Sequence, residues 1–91
     1  MARRPRIKIT ITEQVRPTPC HRGHKVGQTY DFDTERGKIC PLIMHVLFPA
    51  IDILRYGGSF PWSDDPHKAP FACPDPKTLL VFEIEKIEQD G

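Results

Sequence analysis

The sequence predicts an α+β fold, a small antiparallel sheet with one kinked helix packed across it. Ile7, Ile9 and Ile11 alternate with Lys8, Thr10 and Thr12, and towards the other end Leu80, Phe82 and Ile84 alternate with Val81, Glu83 and Glu85. A period of two marks a strand with one buried face. Between these runs, "CPLIMHVLFPAIDILRYGG" places apolar residues at helical spacing.

After the first strand, "RPTPCHRGHKVG" is a polar, punctuated loop carrying Cys20, His21 and His24. "TYDFD" then sets Tyr30 and Phe32 against Asp31 and Asp33, which predicts a second strand. The helix follows. Pro41 suits its first position, where the missing N–H is not needed, and Gly57 and Gly58 supply a stop. Leu42, Ile43, Val46, Leu47, Ala50, Ile51, Ile53 and Leu54 span an arc of about 180°, where one sheet contact needs about 100°. The surplus predicts a homo-oligomer. Pro49 removes the hydrogen bond to the His45 carbonyl and predicts a kink. His45 and Asp52 share the polar sector two turns apart, about 10.5 Å by helical rise, and read as a solvated stripe. The segment "SFPWSDDPHKAPFACPDPKT" is a proline-rich excursion, ordered if Phe60, Trp62 and Phe71 dock. The last strand pairs with the first, its acidic outer face opposite Lys8. The expected order is β-β-α-β with two long loops.

The 91 residues make a single domain, 1–91. A chain of this size buries roughly 60–65% of its unfolded surface, so its core is thin and gains from a metal, a disulfide or a partner subunit. Thirteen basic and twelve acidic residues leave a net charge of +1, too little for a global field that holds nucleic acid. No apolar run of signal-peptide or membrane-spanning length is present, and the expectation is a cytoplasmic protein. Three cysteines cannot all pair within one chain, and a cytoplasmic setting disfavours disulfides.

The cysteines carry the chemical question. Cys20-x3-His24, completed by Cys40 and Cys73, makes a Cys3His set that suits zinc or iron. A structural site of this kind adds roughly 10 kcal/mol or more of apparent folding free energy. The opposing reading is that free cysteines are small buried hydrophobes. Cys40 stands at the helix N-cap, where amides and dipole favour a thiolate. In "FACPDPKT", Pro74 and Pro76 stiffen the chain and Asp75 can close an Asx-type turn, so Cys73 would be held in a fixed direction. A second cluster, Arg55, Tyr56 and Trp62, could contact a small-molecule ligand: Arg55 grips anions bidentately, and Trp62 walls a pocket. Its opposing reading is a helix C-cap followed by a pinned loop. No Walker loop, dinucleotide fingerprint, H-E-x-x-H or G-x-S-x-G occurs, and no catalytic residue is assigned.

"CHRGHKVG", "GKICP", "RYGG", "PW" and "CPDP", in that order, resemble the signature of a small uncharacterised family of prokaryotic proteins. Its members carry a C-x(2–3)-G-H-K-x-G loop, a Cys-Pro helix start, a Gly-Gly/Pro-Trp loop and a Cys-Pro-Asp. The resemblance covers nearly the whole chain but implies no activity. It departs at Gln28, where the family pattern has an acidic residue. Two functions follow from the residues: a metal- or thiol-dependent small enzyme or metal carrier, or a non-catalytic accessory or oligomerisation module with buried cysteines.

Overall fold

The computed structural model describes residues 5–87. Its sheet has four antiparallel strands in the order β2-β1-β4-β3, built from β1 (Arg6–Gln14), β2 (Thr29–Asp31), β3 (Lys68–Ala72) and β4 (Leu80–Ile87). The first and last strands form the central ladder, with Ile9 opposite Ile84 and Lys8 opposite Glu85. The register shifts between Ile11 and Glu13, so the inward alternation of the isoleucines ends there.

The long helix α2 (Pro41–Arg55) lies against one sheet face. Cys40 is its N-cap and Pro41 its first residue. Ile43, Met44, Leu47, Ala50, Ile51 and Leu54 bury against Ile7, Ile9, Ile11, Leu80, Phe82 and Ile84. Leu42 and Ile53, counted above in the apolar arc, stay exposed. The buried stripe therefore recurs at three- and four-residue spacing, as one sheet contact requires. Helical structure continues through Pro49.

The C-terminus of α2 is a Schellman turn. The Gly58 amide donates to the Ile53 carbonyl at 2.7 Å and the Gly57 amide to that of Leu54 at 3.3 Å. Gly57 has φ +88°, and a Cβ on Gly58 would lie 2.8 Å from the Ile53 carbonyl oxygen. Both glycines are needed by the turn itself.

Two segments differ from the sequence expectation. The second strand stops at Asp31, whose carboxylate accepts from the Asp33 amide at 3.0 Å and caps the short helix α1 (Phe32–Glu35). An Asx cap competes with strand continuation, and it turns Phe32 into the core. The proline-rich excursion contains an edge strand, β3, pairing with β4 from Lys68↔Glu85 to Ala72↔Val81. Pro70 sits on that edge, where an imino nitrogen is tolerated. Phe60, fully buried with Phe71 beside it at 5.8 Å, anchors the excursion. Trp62 remains 67% exposed. The order is thus β1-β2-α1-α2-β3-β4, with a 3-10 turn at Arg36–Lys38 before α2.

Candidate functional site

The three cysteines arrive from three segments at one small cavity, of about 10 Å³, where Cys20, Cys40 and Cys73 share the walls with His21, His24 and Asp75. Ile43, Leu80 and Phe82 close its apolar side, with Thr78 at the margin. All three cysteines are free. Cys40 and Cys73 are 5% and 8% exposed, and Cys20 is half-buried. A space of about 10 Å³ holds roughly one water molecule or ion, whereas organic ligands occupy about 300–1,000 Å³.

Each wall has a local cause. Cys20 opens a tight turn, closed by the Gly23 amide on the Cys20 carbonyl at 2.9 Å. Gly23 has φ +83°, a conformation in which other residues are strained. Cys73 ends the β3 edge and donates its amide to the Leu80 carbonyl at 2.8 Å. Between them Asp75 accepts from the Lys77 amide at 3.0 Å, the Asx turn that its sequence suggests, and the Leu79 amide donates to the Asp75 carbonyl at 2.8 Å. Thr78 ties this loop to the cysteine loop by donating to the Pro19 carbonyl at 3.4 Å. Burial pushes the Cys73 thiol above its ordinary pKa, and the neighbouring Cys40, Asp75 and Cys20 act the same way, against a lowering by the Asp75 amide.

His24 is the centre of the polar wiring. Its Nε2 accepts from the Cys40 amide at 3.1 Å, so in the neutral ring the proton resides on Nδ1. Nδ1 then donates to Tyr30 Oη at 3.1 Å, and Tyr30 donates onward to Gln28 Oε1 at 3.0 Å. The Lys25 amide also donates to that oxygen, at 3.0 Å. Phe82 and Tyr30 flank the ring edge-on at 5.8 and 5.7 Å. Burial lowers the His24 pKa from its ordinary value, opposed by the nearby Gln28 side-chain oxygen and reinforced by Arg22 and His21. The imidazole is held neutral with both nitrogens engaged, and it fixes the start of α2.

This wiring changes how His24 reads. The sequence places it beside the cysteines as a fourth ligand, and the structure places it at the same cavity, but its lone pair is spent on Cys40. Among the described residues no group of three or more His, Cys, Asp or Glu side chains is disposed to hold a metal ion. Tyr30 and Gln28 were missed as partners because a strand pattern speaks of faces, not of hydroxyls. The need of a buried tyrosine for a hydrogen-bond partner was the available hint.

The second cluster does not assemble in the same way. Arg55 turns back towards Asp33, at 3.9 Å, and over the Phe32 ring, at 5.6 Å. Tyr56 is 75% exposed, and Trp62 packs on Phe60 at 5.3 Å. The glycines between them serve the Schellman turn.

Comparison with known proteins gives no family model, curated protein or solved structure that matches the chain. The resemblance to the GHKxG-bearing family therefore rests on the quoted motifs. No helix among the described residues is long and apolar enough to cross a membrane.

Proposed function

We propose that the protein is a small thiol-centred metal-binding protein, in which Cys20, Cys40 and Cys73 take up one soft cation, zinc or iron. The observation that carries this reading is the convergence of every cysteine in the chain, from three separate segments, on one cavity the size of a single ion. Thiolates are the ligands soft and borderline cations favour. The cavity's volume argues against an enzyme that processes an organic substrate there.

His24 has a positioning role in this reading. It holds the Cys40 amide and hence the start of α2, while His21, on the same wall, would serve as a fourth ligand. Because the side chains are not disposed as a finished ligand set, uptake draws the half-buried Cys20 turn inwards. Each thiol must lose its proton on binding, so uptake releases protons and weakens as pH falls.

A second reading, a non-catalytic module whose thiols only fill the core, is favoured by the saturated hydrogen bonding of His24. Elemental analysis separates the two, on untagged protein purified without oxygen or chelator, with Cys20→Ser, Cys40→Ser and Cys73→Ser alongside. Near-stoichiometric zinc or iron, lost in all three folded variants, is the expected result. Metal-free protein that also fails to take zinc from a chromogenic chelator would establish the second reading instead.

A further inference from the structure

Sharing no lining residue with the cysteine cavity, a separate groove of about 510 Å³ is lined by Arg22, Arg36, Ile39, Met44, His45 and Phe48, with Gly37 and Pro41 beside them. Its size falls within the range of small-molecule sites. Two arginines and a histidine reach it from three different segments, and no carboxylate is among its lining residues. Buried Ile39 and Met44 form an apolar floor, and Phe48, 46% exposed, forms an aromatic wall.

The groove is partly pre-organised. Phe48 meets Phe32 edge-on at 6.0 Å, and the Arg36 guanidinium lies 4.3 Å above the Phe32 ring. Stacking of this kind restrains a long side chain before a ligand arrives. Arg36 is ion-paired with Asp33 at 3.7 Å, an exposed i,i+3 contact. Such surface pairs are weak, so a dianion can displace the Asp33 carboxylate from Arg36. Arg22 is the third residue of the Cys20–Gly23 turn, which fixes where its side chain starts.

We propose that this groove binds an aromatic monophosphate, the phosphate held by Arg36, Arg22 and His45 and the ring seated against Phe48, Ile39 and Met44. A single carboxylate is satisfied by one arginine fork. Donors from three segments suit a dianion with three oxygens, and the exposed phenyl face suits a flat ring. None of these residues is a proposed metal ligand, but Arg22 shares the Cys20–Gly23 turn with the thiol centre, so the groove is tested on metal-free protein.

The test is a nitrogen-15 chemical-shift titration with phenyl phosphate, run beside inorganic phosphate, on the intact chain and on Arg36→Gln and Phe48→Ser. Both substituted side chains are exposed, and a thermal melt of each variant checks its fold. Saturable shifts at Gly37, Ile39, His45 and Phe48 are expected. Arg36→Gln should weaken phenyl phosphate by about tenfold or more, the scale of one charge-assisted hydrogen bond. Phe48→Ser should weaken phenyl phosphate while leaving inorganic phosphate unchanged; should that variant not fold, Arg36→Gln alone decides. Shifts that do not saturate, shifts elsewhere, equal affinity for the two phosphates, or no loss in Arg36→Gln would each overturn the proposal.

Discussion

The cysteine pocket and the Arg55–Trp62 corner are the two places where the sequence concentrates chemistry-bearing side chains, and the fold treats them in opposite ways. The pocket's residues are spread from Cys20 to Cys73, yet they meet at one buried point beside His24. The corner's residues are close neighbours in the chain, yet Arg55 goes to Phe32 and Asp33, Tyr56 goes to solvent and Trp62 goes to Phe60. Proximity along a chain says little about shared purpose at a helix end, because the Schellman turn redirects the backbone within two residues. Convergence from distant segments needs the whole sheet and helix, so disturbing the pocket should disturb the fold, and disturbing the corner should not.

The largest expected effect is at His24. His24→Ala removes the acceptor of the buried Cys40 amide and leaves the space between Tyr30 and Phe82 unfilled. An orphaned buried amide costs about 1–3 kcal/mol. With the emptied ring volume added, the expected loss is about 2–4 kcal/mol, read from the midpoint of a urea unfolding curve with unchanged slope. A loss below about 0.5 kcal/mol, the range of ordinary surface substitutions, would put the pocket on the same footing as the corner.

The pocket also sets an expected pH profile. The His24 pKa lies below its ordinary 6.5 in the folded protein, so the unfolded chain binds the proton first as pH falls. Stability from this group is therefore full above 6.5 and declines below it, until the folded ring also titrates. The Cys73 pKa lies above its ordinary 9.0, so the unfolded chain loses that proton first as pH rises. Stability from this thiol is full below 9.0 and declines above it. The two carboxylates held low by neighbours, Asp31 by Arg6 and Glu35 by the Asp31 amide, contribute a further decline only at more acidic pH. Urea midpoints measured across this range should show both limbs. His24→Ala should flatten the limb just below 6.5, and Cys73→Ser the limb above 9.0. An acid limb that survives unchanged in His24→Ala would mean that the imidazole is not its source.

Much of this fold was legible in the residues. The isoleucine alternation and the Leu80–Ile84 alternation gave the two central strands, because one buried sheet face imposes a period of two; their pairing was an expectation from the acidic face opposite Lys8, not a consequence of the alternation. Pro41 and the Gly57–Gly58 pair marked the ends of α2 because each answers a defined backbone need. The strand Lys68–Ala72 was hidden, since a five-residue edge strand with Pro70 in it carries no alternation strong enough to outweigh the surrounding prolines. Asp31 was misread for a related reason: a cap and a strand residue look alike until the Asp33 amide is seen turning back. At the site, sequence brought Cys20, His24, Cys40 and Cys73 together as a group. It could not show that the His24 lone pair was already committed, because that depends on the distance between a loop and a helix start fixed by the sheet beneath them.

The smallest expected effect is at the corner. Trp62 covers one side of Phe60 but is itself two-thirds exposed, so removing it opens no sealed volume and orphans no buried polar atom. Trp62→Ala should cost less than about 1 kcal/mol, and Phe60→Ala, which empties a fully buried site, about 3–5 kcal/mol. The pair makes a sharp internal test because both side chains belong to the same proline-rich segment and touch each other. If Trp62→Ala proves as costly as Phe60→Ala, the corner is a cooperative part of the core and its contrast with the pocket fails. If the costs differ as expected, the excursion is held from beneath by Phe60. The indole outside then adds little to folding, and the fold itself gives no reason for a large aromatic to stand in solvent at that position.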